Sequence, residues 1–409
     1  GGWYVVENWT DGVDFSDNGT LHFQGDTHLI LRDEAEMSVN SLRSIGTLTI
    51  YGQSGSSGAI NIDNESTGIL AYNDLIINGG IISVSTNNGY PIDCRGNVVI
   101  NGGRVTATAP GWAIYGVNGV VINGGKVTAT APDGWAIDGL NNAINGGTVI
   151  TNGPVGTVTI AEQMIDCALG TNKRVITESI DGDVVTAMQT LFGNESVNAS
   201  FSRTFKKDVA STICLPFPMT SIPSGKVYEF VGVEYDDTEG WVATMSDATP
   251  SGNSVDETVA NKPYLFMPST NGAVPFTGTI NPASITAGTT SSTDTYWTFL
   301  GTYSQLTYGS GQFTDPVFGF AANGGSNGVV AGEFVRADDG AFIPAFRAFL
   351  KYSGDDDIFK ARGTRGGGAG IPETITVRLI GKNGEIDGIG EIRLSTGEVT
   401  FESNAWHDL

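Results

Sequence analysis

One phrase, repeated at near-constant spacing, limits what this chain can fold into. Val99-Ile100-Asn101-Gly102-Gly103-Arg104-Val105-Thr106-Ala107-Thr108-Ala109-Pro110 returns as Val121-Ile122-Asn123-Gly124-Gly125-Lys126-Val127-Thr128-Ala129-Thr130-Ala131-Pro132. An earlier copy reads Ile76-Ile77-Asn78-Gly79-Gly80-Ile81-Ile82-Ser83-Val84-Ser85, and a later one Ala143-Ile144-Asn145-Gly146-Gly147-Thr148-Val149-Ile150-Thr151. Asn78, Asn101, Asn123 and Asn145 are thus 23, 22 and 22 residues apart. A second phrase follows each of the first three copies: Gly89-Tyr90-Pro91-Ile92-Asp93-Cys94, Gly111-Trp112-Ala113-Ile114-Tyr115-Gly116 and Gly134-Trp135-Ala136-Ile137-Asp138-Gly139.

Each unit holds three short runs of alternating apolar and small polar residues. None can bury its apolar side alone, so successive units must stack. Stacking by parallel pairing sets equivalent residues about 4.8 Å apart and satisfies the backbone between coils. Ile77, Ile100, Ile122 and Ile144 then form one internal file, and Val84, Ala107 and Ala129 belong to another. Asn78, Asn101, Asn123 and Asn145 form a side-chain amide ladder of the cross-β kind. A leucine-rich repeat needs a leucine pattern that these units lack. A parallel β-helix is the expected fold.

Weaker copies extend it. His28–Leu31, Leu48–Gly52 and Gly58–Ile62 read as strands upstream, and Gly156–Ile160 and Lys173–Thr177 are expected to complete the solenoid downstream. Only Val184–Phe192 reads as a short helix. At 409 residues, two or three domains are expected. The sequence divides into an N-terminal parallel β-helix with its cap (1–195), an all-β, sandwich-like domain (196–352), a glycine-rich linker (353–370) and a short C-terminal β module (371–409). The fold class is all-β. The 57 glycines fit many strands joined by tight turns.

The phrase Leu48-Thr49-Ile50-Tyr51-Gly52-Gln53 and the repeated Ile-Asn-Gly-Gly-x-Val-Thr-Ala-Thr resemble secreted surface proteins of Bacteroidetes. Those proteins have pectate-lyase-like β-helices and are described as adhesins or carbohydrate-binding proteins. Ser211-Thr212-Ile213-Cys214-Leu215-Pro216-Phe217, Lys262-Pro263-Tyr264-Leu265 and Ala345-Phe346-Arg347-Ala348-Phe349 resemble phrases that recur in their later domains. Ala405-Trp406-His407-Asp408-Leu409 is similar to the opening of their C-terminal sorting region. The resemblance implies a secreted protein on the extracellular face of the outer membrane, engaged with a polysaccharide or with a host or bacterial surface protein.

Charge narrows the partners. A net charge of −23 repels phosphate backbones and anionic lipid, so no nucleic-acid partner is expected. No apolar run is long enough to cross a membrane as a helix, and no signal-peptide pattern is present. A monomer is expected. Cys94, Cys167 and Cys214 lack metal-ligand spacing, leaving one disulfide or three buried thiols.

Tyr90, Trp112 and Trp135 hold one position on three consecutive units, which suits a strip for stacking sugar rings. Each also lies two residues before Ile92, Ile114 or Ile137, so strand parity would turn it inward with them as a core stack. Both readings are open. On the opposite parity, Asp93, Tyr115 and Asp138 are expected to face solvent, near Arg95, as a polar outer face or as contacts for a glycan or a calcium ion. Arg104 and Lys126 align as a small basic step suited to an acidic sugar, or simply to solvent. No sequence motif supports a calcium site, and no cofactor is expected.

Catalysis finds little support. The carboxylates Asp93 and Asp138 fall two coils apart, about 10 Å by strand spacing, long for a glycosidase pair. None of the three histidines lies in the clear repeats. The expected function is therefore non-catalytic carbohydrate binding or adhesion. The alternatives are a β-helix lyase or glycoside hydrolase, and a structural stalk.

Overall fold

The computed structural model describes residues 2–7, 19–251, 257–285, 292–293, 296–309, 315–322, 330–354, 371–389, 393–394 and 397–398. The chain forms two units, residues 1–201 with 280–284, and residues 202–279 with 285–409.

The first unit is a solenoid whose coils pair in parallel to build three sheets. One sheet carries Gly2–Val6, Thr27–Leu31, Leu48–Gly52, Leu75–Ile77, Asn97–Ile100, Gly119–Ile122, Asn142–Ile144 and Val158–Ile160. After each Asn-Gly-Gly turn the chain enters a second sheet, built from Glu36–Val39, Ala59–Asn64, Ile81–Thr86, Arg104–Thr108, Lys126–Thr130 and Thr148–Asn152. The third sheet holds Thr20–Phe23, Ser41–Ser44, Ile69–Ala71, Ile92–Cys94, Ile114–Gly116 and Ile137–Gly139.

Period-two alternation decides which side chains enter the interior. On the first sheet Leu29, Ile50, Ile77, Ile100, Ile122 and Ile144 lie in direct register, each no more than 3% exposed. On the second, Val84, Ala107 and Ala129 are in register and buried. The third sheet adds Leu42, Ile69, Ile92, Ile114 and Ile137. One continuous aliphatic core results.

The turn between the first two sheets is held from outside. Asn101 Nδ2 donates to Asn78 Oδ1 at 2.7 Å, Asn123 Nδ2 to Asn101 Oδ1 at 2.7 Å, and Asn145 Nδ2 to Asn123 Oδ1 at 2.8 Å. Asn101 and Asn123 each donate to the coil before and accept from the coil after, which locks the register coil by coil. The glycine that ends the turn is left-handed in each copy, as Gly103 (φ 83°) and Gly125 (φ 79°) illustrate.

The solenoid ends by reversal. Lys173–Thr177, expected as a further coil, instead runs antiparallel to Thr148–Asn152. The cause is the short connection from Ile165–Leu169 through left-handed Gly170, which folds the two strands into a hairpin. Val197–Phe205 then pairs antiparallel with Ile165–Leu169. The helix Gly182–Phe192 starts where Asp181 Oδ1 accepts from Val184 N at 2.8 Å, and it buries Val184, Met188 and Phe192.

The second unit is a mixed sheet that curls towards a barrel. Its spatial order begins Ser211–Cys214, Pro263–Pro268, Gly225–Asp236, Gly240–Asp247 and Thr374–Ile380. It continues through Phe334–Arg336, Val317–Phe320, Arg347–Tyr352, Trp297–Thr302 and Ser292–Thr293. Near the ends of this order the sheet meets itself, with Cys214 N donating to Phe346 O at 3.1 Å and Ala348 N to Thr212 Oγ1 at 3.0 Å. Aromatic side chains dominate its core, among them Trp297, Phe299, Phe318 and Phe334.

Thr374–Ile380, expected to open a separate C-terminal module, sits inside this sheet. It pairs parallel with Gly240–Asp247 and antiparallel with Phe334–Arg336. The chain can arrive parallel because a long connection precedes it, as parallel pairing requires. Most of the expected linker, the Asp355-Asp356-Asp357 run and the Ala405–Leu409 phrase lie outside the described residues.

Candidate binding site on the solenoid

The third sheet sets Asp93, Tyr115 and Asp138 in one outward file, with Leu70, Arg43 and His22 on the coils before them. Tyr90, Trp112 and Trp135 lie at its edge. Each precedes its strand by two residues, where the chain is not yet in the ladder, so strand parity does not carry back to it. Ile92, Ile114 and Ile137 point inward at 1% exposure or less, while Trp112 stays 39% exposed and Trp135 38%. The aromatics are therefore not a core stack.

The rings form a cluster rather than an even strip. The Tyr90 ring centroid lies 5.5 Å from that of Trp112 and 6.0 Å from that of Tyr115. Among the described residues no ring contact joins Trp135 to them.

Asp93 departs from expectation. It shares the outward parity of Tyr115, yet it is only 7% exposed. Its register neighbours on the adjacent coils are the bulky Leu70 and Tyr115, which flank it on both sides. Arg95 Nη2 lies 3.6 Å from Oδ2, whereas Oδ1 is buried and makes no hydrogen bond. Loss of solvent pushes the carboxyl above its ordinary pKa, and the Arg95 charge opposes only part of that rise. Asp138 is engaged locally, its Oδ1 accepting from Gly139 N at 2.9 Å.

A raised carboxyl pKa fixes the sign of a stability effect. The folded state holds the proton more tightly than the unfolded chain, so stability falls as pH rises through the window between the two pKa values. Above that window the penalty is constant. Asp93→Asn is accordingly expected to stabilise the protein by about 1 kcal/mol at neutral pH, with the gain shrinking as pH falls towards the carboxyl's titration. Urea melts of both proteins across pH test this. Lower stability of the variant at neutral pH would mean that the Arg95 contact outweighs the desolvation.

Arg104 and Lys126 are register partners on the second sheet. Lys126 Nζ lies 3.9 Å from Asp183 Oδ2 in the first turn of the helix, so the basic step is partly neutralised and Arg104 is its exposed half. On that sheet's outer face, Ser38, Asn40, Asn61, Asp63, Ser83 and Ser85 line a groove of about 440 Å³.

A further group of three rings, one of them exposed, escaped the sequence reading. Trp3, 64% exposed, stacks on His28 with centroids 4.1 Å apart and planes 12° apart. Tyr51 completes the group, its hydroxyl 3.3 Å from His28 Nδ1. The signal was the shared phase of the first three strands on the first sheet, blurred there by weaker repetition.

Three segments of the second unit, around Cys214, Tyr264 and Phe346, converge. Ser211–Cys214 pairs with Pro263–Phe266, Cys214 Sγ lies 3.5 Å from Asn261 O, and Tyr303 Oη donates to Asn261 Oδ1 at 2.6 Å. All three cysteines are buried free thiols. Burial pushes the Cys94 thiol up to about 11 and Cys214 higher still. Among the described residues no group of three or more histidine, cysteine, aspartate or glutamate side chains is placed to hold a metal ion. No helix there is long and apolar enough to cross a membrane.

The coil geometry defines the class: a parallel β-solenoid. No family model matches the chain, and no curated protein or solved structure matches it.

Proposed function

We propose that the solenoid is a non-catalytic binding module for an extracellular polysaccharide, working in adhesion at a cell surface. The observation that carries this reading is the cluster of Trp112, Tyr90 and Tyr115 on the outside of consecutive coils, beside the shielded carboxylate of Asp93. Aromatic faces take up the apolar side of a sugar ring, and a fixed acceptor next to them selects hydroxyl orientation. A repeating ligand suits a repeating surface. The exposed Arg104 would favour a chain carrying some acidic sugars.

A glycan array, followed by affinity electrophoresis in neutral and uronate-containing polysaccharides, tests the reading. Trp112→Ala is expected to weaken retention about tenfold, or about 1.4 kcal/mol, with its circular dichroism and melting unchanged. The bound polysaccharide should gain neither reducing ends nor unsaturated-uronate absorbance. Release of either product would assign a lyase or hydrolase instead. Absence of retention on every glycan would leave the solenoid as a spacer.

A further inference from the structure

The second unit shields two positive charges, one of them fully buried. Arg203 is 3% exposed. Its Nη1 donates to Thr212 O at 3.2 Å, and its guanidinium lies over the Phe205 ring at 4.0 Å, but its Nη2 is buried and makes no hydrogen bond. Arg347 is partly exposed and donates through Nη1 to Ser211 Oγ. The two side chains therefore engage neighbouring residues of one strand and repel each other. Desolvation drags both below the usual arginine range, Arg347 to about 10, and Arg203 is depressed further by the charge of Arg347. No carboxylate among the described residues forms an ion pair with either, in a chain with 44 acidic residues.

Burying a guanidinium without a counter-charge is costly, and proteins normally place an acid beside it. Donors gather here without acceptors to match. Ser211 is 5% exposed, and its hydroxyl accepts from Arg347 Nη1, leaving its own proton to donate. Phe346, next to Arg347, is held in a left-handed conformation (φ 59°) that a bulky residue rarely adopts, and such outliers gather at functional sites.

We propose that Arg203, Arg347 and the Ser211 hydroxyl form a binding site for a single oxyanion group, sulfate or carboxylate, entered from the Arg347 side. A guanidinium presents two parallel N–H donors that match such a group, and desolvation strengthens each contact. Two sources supply this chemistry: a free inorganic anion and the acid group of a sugar.

Thermal melts of the full chain at constant ionic strength provide the test, with sodium chloride replaced by millimolar sodium sulfate or sodium glucuronate. One of the two is expected to raise the melting temperature along a saturating curve, as a ligand of the folded state does. General salting effects of sulfate rise without saturation and need far higher concentrations. Arg347→Gln keeps Arg203 and the fold and is expected to shift the curve at least tenfold towards higher concentration. Isothermal titration of the wild-type protein gives the same constant without a variant. A lower half-point for glucuronate names the sugar acid as the source, and a lower one for sulfate names the inorganic ion. Melting curves that coincide in all three salts, or an Arg347→Gln response equal to wild type, would overturn the site.

Discussion

Gly125→Ala is expected to destabilise the solenoid by about 2–5 kcal/mol, adding left-handed backbone strain to overpacking. The residue sits at φ 79°, and a Cβ built on it would lie 2.5 Å from Gly103 O and 2.8 Å from Gly102 C. Neither neighbour can yield. Lys126 N donates to that same Gly103 oxygen at 2.9 Å, and the Asn101–Asn123 amide bond holds the two turns together from outside. The coils would have to separate where they are most tightly joined. Gly111→Ala is the control: nothing lies within 4 Å of its Cβ position, and a change within about 0.5 kcal/mol is expected. Urea melts followed by circular dichroism compare the two. Equal effects would mean that the turns are not stacked in this register.

Truncation of the central file should cost a similar amount by another mechanism. Ile122 is 1% exposed and lies in register between Ile100 and Ile144, so Ile122→Ala leaves a cavity between two fixed neighbours. A loss of about 2–5 kcal/mol is expected. Ile160, the last member of the same file, is only partly buried, and Ile160→Ala should lose less than half as much. Coils touch mainly their neighbours, so hydrogen exchange should locate the weakening in the coils around residue 122, with those near residue 50 protected as before. Uniform loss of protection along the solenoid would show that it unfolds as one cooperative block instead.

The solenoid was legible because its two determinants are local and repeated. Alternation sorts Ile100 from Val99 within a strand, and the 22-residue spacing carries that sorting to Ile122 and Ile144. The amide ladder follows from the same spacing, since identical side chains on adjacent strands must meet. What sequence could not give was anything set by neighbours across coils or by backbone outside the ladder. Trp112 defied parity because its backbone has not yet joined a strand. Asp93 obeyed parity and was still shielded, because Leu70 and Tyr115 come from the coils on either side. Lys173–Thr177 has the composition of another coil, and only the turn before it reverses its direction. The arginine pair was further out of reach: Ser211 and Arg347 are 136 positions apart, and nothing in either phrase marks the other.

The Asn-Gly-Gly turn has a consequence for how such a chain changes over generations. Each of the four coils that carry this turn offers the next one the same amide, the same left-handed glycine and the same row of isoleucines, so a duplicated segment finds matching neighbours above and below without adjustment. Lengthening by whole copies is therefore nearly free of structural conflict, while insertion of a fraction of a copy would throw every later side chain out of line. Reach and valency can be tuned by gene duplication alone, and the near-identity of residues 99–110 with 121–132 is what a recent event of that kind would leave behind.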